Sequence, residues 1–391
     1  MTGGPRPPLT RPGTGPQRAD LLELFFDLAF IASLTLTSQK MAAEQTWTGI
    51  AQALLALSTL WAVWVTTTLI TDTYSPRKRP ISYLILAIMF GIMLMSAALP
   101  TAFHDHGLVF GGTWAAINLG RGLVLIRSLR GRQGQERSIR ALVWSLIAGV
   151  LWVVGALLAD PGLRLSVWLA ALAVDYIGFG FRFPVPGRAA LPQYQVTPEH
   201  LAERYQQIYT LTLGELVLVS VLSLSHQPFT PDRIAAFGTA FLTAVVLWWS
   251  YAGGAGATLR AAIEASPHRA RLVQTNPYAH WLMVAGVVST AAGVERIIAA
   301  PGQHPGSVMT ALILGGAGLF LCGRAVLEHE VYGPVPLSHV LGVAATIILA
   351  PFAAHLSGLA LGVVAALVLS GVVVAELLRN RRGSAPASVA S

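Results

Sequence analysis

The chain has 391 residues, 54% of them hydrophobic and only 11% charged, with a positive mean hydropathy. No soluble core of this length needs so much apolar surface, so the composition excludes an ordinary soluble domain and points to a polytopic membrane protein. The formal charge of +8 does not indicate nucleic-acid binding, because most of the basic residues lie in short segments between apolar runs, where they set topology.

In chain order, residues 1–18 are rich in Pro and Gly and are expected to form a disordered cytoplasmic tail that is retained, not a cleaved signal peptide. A spanning helix needs about 20 largely apolar residues. That ruler predicts spans near 21–38, 48–70, 81–102, 108–129, 139–159, 163–182, 202–225, 233–255, 278–299, 307–327, 335–354 and 357–378. Arg77, Lys78 and Arg79 follow the second span, Arg127 to Arg140 surround the loop after the fourth, and Arg379, Arg381 and Arg382 follow the twelfth. The opposite loops hold little beyond Lys40, Arg164 and Arg233, so both termini are expected in the cytoplasm.

The expected fold is all-α, a transmembrane bundle of about twelve spans in two six-helix halves, 19–182 and 201–380. They are joined by a Pro/Gly-rich cytoplasmic linker at 183–200 and followed by a disordered tail at 381–391. A weak internal repeat aligns Phe26-Asp27-Leu28 with Gly214-Glu215-Leu216, and Gly120-Arg121-Gly122 with Gly316-Ala317-Gly318. An even number of spans per half makes the halves parallel.

The first span carries Glu23 and Asp27 one helical turn apart on one face. A carboxylate in mid-membrane costs roughly 2.5–3.5 kcal/mol, so it needs a partner or a use. Glu23 also fits a helix cap, opposing the helix dipole together with Asp20, whereas Asp27 lies a turn deeper and reads as part of a buried polar site. Arg121, Asp175, Glu215 and Glu295 are further ionisable groups inside apolar runs. Arg121 is expected to bridge Asp27 and Asp175, since a planar guanidinium can hold two carboxylates; a purely structural ion network is the alternative.

The seventh span opens with His200, Glu203 and Arg204. His200 and Glu203 share a face at a spacing compatible with a metal, but no second such pair or cysteine set accompanies them, and a solvated interfacial cap is the reading adopted. His280 stands at a predicted membrane edge, either as a proton relay or as an interfacial hydrogen-bonding histidine, about 22 Å of helix from Glu295. Cys322 is the only cysteine, which excludes an internal disulfide. No nucleophile elbow, zinc motif or dinucleotide fingerprint appears in a supporting context, so no cofactor or metal is expected.

The run Glu23-Leu-Phe-Phe-Asp27-Leu-Ala-Phe resembles the opening signature of the bacterial low temperature requirement A (LtrA) family. His200-Leu-Ala-Glu203-Arg204 with Leu213-Gly214-Glu215 resembles that family's central helix, Leu247-Trp248-Trp249-Ser250-Tyr251 its double-tryptophan segment, and Tyr278-Ala-His280 through Gly293-Val-Glu295 a later block. The resemblance implies a multi-pass protein of the bacterial inner membrane and carries no molecular activity with it. Tyr251-Ala252-Gly253 departs from the second aromatic and acid that members often show there. The Phe-Xaa-Asp element is also similar to one in a family of potassium channels built from two six-helix repeats.

The expected function is proton-linked transport through a polar cavity open to the cytoplasm. Asp27 and Glu215 would be its acids, Arg121 and Asp175 its gate or counter-charge, and His280 its relay. The alternatives are a membrane-embedded acid–base enzyme acting on an apolar or lipid substrate, and an ion channel. The expected partners are the lipid bilayer and an unidentified small molecule, lipid or ion.

Overall fold

The computed structural model describes residues 9–10, 18–132, 134–192, 197–253, 259, 261 and 269–383, with backbone alone at 269–272 and 380–383. Most of both expected tails, and part of the linker, lie outside the described residues. Among the described residues the fold is all-α, with no strand, and twelve helices are long and apolar enough to cross a membrane. They are α1 (Leu21–Glu44), α2 (Trp47–Thr73), α3 (Arg79–Ala98, extended by a 3-10 turn at Leu99–Thr101), α4 (Gly107–Ser128), α5 (Gln135–Leu157) and α6 (Pro161–Gly180). There follow α7 (Pro198–Ser225), α8 (Pro231–Ala252), α9 (Arg269–Ala299), α10 (Ser307–Tyr332), α11 (Leu337–Leu349, with a 3-10 turn Ala350–His355) and α12 (Gly358–Gly383).

The helix starts follow local chemistry. Asp20 and Glu23 form a reciprocal capping box on α1: Leu22 N donates to Asp20 Oδ1, and Asp20 N donates to Glu23 Oε2 at 2.7 Å. At α6 the Asp160 side chain accepts from Leu163 N at 2.7 Å, and Pro161 fills the first helical position, where its missing N–H costs nothing. Large apolar side chains left exposed on these helices, among them Phe90, Val150, Ile347 and Leu367, are what a lipid-facing surface requires.

The chain divides into two compact units. Unit 1 comprises residues 1–40, 48–205 and 266–274; unit 2 comprises 41–47, 206–265 and 275–391. The first turns of α7 therefore belong to unit 1 and the rest of that helix to unit 2.

In unit 1, α4 packs against α3 and α5, and α5 against α6. Phe110, Trp114, Trp152 and Trp168 interlock there, with ring centroids 5.2–6.1 Å apart. Gly111 permits the close approach, since a Cβ there would lie 2.7 Å from the Trp152 carbonyl oxygen. Arg164 was expected among the sparse charges of an outer loop. Instead it is buried, and its N–H groups donate to five carbonyls: Gly155, Ala156 and Leu158 at the end of α5, and Ala102 and His104 after α3. One guanidinium thus closes two helix ends whose terminal carbonyls have no intrahelical donor.

In unit 2, α10 packs against α11 and α12 against α8 and α11. A Cβ at Gly323 would meet Ala279 O at 2.6 Å, and one at Gly286 would meet Gly316 O at 2.6 Å, so α9 and α10 touch backbone to backbone. A π-helical turn at Ala311–Gly315 interrupts α10.

Replacing Arg164 by Met should strand these carbonyls and lower stability by about 3 kcal/mol or more, since hydrogen bonds to charged groups contribute roughly 1.5–3 kcal/mol each. Arg164→Lys should recover only a minor part, because an ammonium lacks the five-donor fork. Thermal unfolding of the detergent-solubilised protein measures both, and a Lys variant as stable as the parent would refute the capping role.

Candidate functional site

Three helices of unit 1 bring ionisable groups to one place. Their positions follow from helical spacing: Glu23 and Asp27 on α1, Trp64 and Asp72 on α2, and His200 and Arg204 at the start of α7, each separated by one or two turns on a shared face. Glu23, Asp27, Asp72, His200 and Arg204 are all at most 2% exposed. The cluster is closed to solvent, where the sequence predicted a cavity open to the cytoplasm.

Asp27 receives a two-point bond from Arg204, with Nη1 to Oδ2 and Nη2 to Oδ1 both at 2.7 Å. Trp64 Nε1 donates to Oδ1 at 2.8 Å, and the Arg204 guanidinium lies 5.6 Å from the Trp64 ring centre. Trp64 is held by Trp61, stacked on it at 4.9 Å, and by Tyr205, edge-on at 5.5 Å. Arg204 Nε has no hydrogen-bond partner among the described residues.

His200 lies between two acids. Nδ1 is 2.9 Å from Asp72 Oδ1, and Nε2 is 2.9 Å from Glu23 Oε1. A neutral imidazole has one donor and one acceptor, so facing two carboxylate oxygens it leaves one contact acceptor to acceptor. Either the ring carries both protons or one of the carboxyls is protonated. Asp72 also accepts the Thr197 N–H at 3.0 Å, and Glu203 accepts the Ala19 N–H at 3.0 Å, which fixes the approach to α7 and to α1.

Of the predicted site residues, Glu23, Asp27 and Arg204 meet here, with Glu203 at the margin. Glu23 is cap and buried acid at once, one oxygen serving each role. The guanidinium on Asp27 is Arg204, not Arg121 as the sequence suggested; Arg121 instead donates to Thr66 Oγ1 and Asn118 Oδ1. The reason is geometric: both Asp27 oxygens are already filled from α2 and α7. Asp175 accepts from Trp152 Nε1 at 3.5 Å and feels the Arg121 charge without sharing it with Asp27.

Glu215, Glu295 and His280 lie in unit 2. Glu215 is fully buried and near enough to the half-buried Glu295 for their charges to interact. His280 is fully buried. Its Nδ1 is 3.1 Å from the Asn276 carbonyl, so Nδ1 carries the proton and Nε2 accepts from Tyr251 Oη at 3.0 Å. The solvated cap expected at His200 is overturned by its complete burial.

Sequence reasoning missed Asp72 and Trp64. Asp72 lies just beyond the 48–70 span that the sequence predicts, so it does not stand out as a buried acid; its one signal is its spacing of about two turns from Trp64.

A model of the family described as bacterial low temperature requirement A protein (LtrA) matches residues 18–374 of the chain. The chain is also 30% identical over 393 residues to an uncharacterized protein of Rhizobium meliloti (strain 1021), a match covering 96% of this chain and 94% of that one. No solved structure matches.

Removing one partner of a buried ion pair costs about 3–5 kcal/mol. Arg204→Met should therefore destabilise by that amount, and Asp27→Asn added to it should restore part of the loss, because no orphaned charge remains. Trp64→Phe should cost less, about 1–2 kcal/mol. A double-mutant cycle by thermal unfolding in detergent measures the coupling; additive losses would show that the pair is energetically idle.

Proposed function

Since the chain belongs to the bacterial low temperature requirement A family, a family of multi-pass membrane proteins, we propose that it is a proton-linked transporter whose coupling site is the cluster around His200. The observation that carries this reading is the imidazole held 2.9 Å from carboxylates on two different helices. Among the described contacts, three carboxylates, Glu23, Asp27 and Asp72, face the Arg204 guanidinium and the His200 imidazole. A residual negative charge in a closed, low-dielectric site is costly, so the closed cluster favours one further proton.

Protonating Glu23 or Asp72 weakens that acid's grip on His200, and with it the tie between the start of α7 and α1 or α2. Opening there would expose an acidic site, in which a cation replaces the proton. The favoured exchange is therefore proton against a cationic solute. The two halves would act as parallel six-helix repeats, in the cytoplasmic membrane with both termini inside; the arginine bias of alternate loops supports that orientation.

The test uses the purified protein in liposomes loaded with a pH-sensitive dye, challenged with sodium, potassium, guanidinium and organic amines. At least one cation should drive proton movement, and Asp72→Asn and Glu23→Gln should each slow it about tenfold or more while remaining monodisperse. Proton movement unaltered in both variants, or absent with every cation, would sink the assignment.

A further inference from the structure

Unit 2 holds a second buried charge cluster, separate from the His200 site. Arg324 on α10 is fully buried; its Nη2 donates to Glu328 Oε1 at 2.8 Å and lies 3.9 Å from Glu376 Oε1 of α12. Nε reaches Ser250 Oγ on α8 at 3.4 Å, and Nη1 has no hydrogen-bond partner among the described residues. His339 of α11 is also fully buried, with Nε2 3.1 Å from Glu376 Oε1. That contact is close in distance yet off the hydrogen-bonding line, so both ring nitrogens and Glu376 Oε1 are left without a hydrogen bond among the described residues.

Two carboxylates, one permanent cation and one histidine thus share a site with unmet donors and acceptors. Leaving such groups unsatisfied in low dielectric is expensive, and these sit at the right separation for a small turn of one side chain to place a shared proton between them. Glu376 is the least buried member, its side chain 11% exposed. The groups around it are Arg324 and Glu328 from α10, His339 from α11 and Arg379 on its own helix. Behind Arg324 stand Tyr251 of α8, Tyr209 of α7 and His280 of α9, the last two being hydrogen-bonded to Leu247 O and to Tyr251. A metal ion is a poor fit beside a guanidinium, and among the described residues no group of three or more ligating side chains is placed to hold one.

We propose that His339 and Glu376, held by Arg324 and Glu328, form a second proton-binding site. The proton enters from water at the Glu376 carboxyl and is shared with His339 Nε2. Binding there is independent of what the His200 cluster does and does not rest on the transport reading.

Infrared pH-difference spectra of the full chain in lipid nanodiscs, across roughly pH 4 to 9, test this. The wild type should show a titrating buried carboxyl band that disappears in Glu376→Gln, shifts in His339→Asn, and persists in Glu23→Gln and Asp72→Asn. An unchanged band in Glu376→Gln would overturn the proposal, as would a band displaced by sodium at constant pH. If Glu376→Gln does not fold, histidine-labelled protein supplies the readout. A titrating imidazole signal must then vanish in His339→Asn, and its persistence overturns the assignment.

Discussion

The two-point bond between Arg204 and Asp27 is the constraint on which unit 1 turns. Both groups are buried to within 1% of complete exclusion from solvent, and neither is tolerable alone in that environment. Their 2.7 Å contacts require the start of α7 to lie against α1 at one register, and the Trp64 N–H requires α2 to join them. A shift of α7 by a single residue would turn Arg204 about 100° away and leave a bare carboxylate inside the bundle. Apolar packing alone tolerates such slippage; paired charge does not.

Two buried arginines of the same unit show different uses of one side chain. Arg164 spends all five N–H groups on carbonyl oxygens at the ends of helices, a static arrangement with no acid in it. Arg204 faces a carboxylate and leaves Nε unmet, one helical turn from a histidine whose proton count depends on two acids. The first is complete in one protonation state only. The second belongs to a set whose balance changes with every proton gained or lost, and that difference is what separates a helix cap from a candidate coupling site.

The twelve spans were legible because length and hydropathy are local properties, and the membrane imposes one ruler on all of them. The costly acids were legible for the same reason: Glu23 and Asp27 stand out against their own span. Partners are not local. Arg121 looked like the mate of Asp27 because depth along a helix is readable while azimuth around the bundle is not, and azimuth gives Asp27 to Arg204. His200 was hidden by its place near a helix start, where solvated charges are common. Arg324 and Glu328, four residues apart in an apolar run, carried a visible signal of a buried pair, but Glu376 and His339 join them only through tertiary packing.

The chemistry of His200 follows from counting donors rather than from any special residue. Each oxygen and nitrogen of a dry cluster must find a partner, and an imidazole between two carboxyl groups satisfies both contacts when the ring carries two protons or when one of the carboxyls carries one of them. Both arrangements hold the same number of protons, and with Arg204 they balance all but one of the three acids. A further proton on Glu23 or Asp72 cancels the remaining charge yet gives that contact a second hydrogen where one is needed. Neutrality and full hydrogen bonding therefore pull the cluster toward different proton counts. A site in which those two demands conflict has closely spaced states, and on the proposed reading that conflict lets one proton shift the tie between α7 and its neighbours.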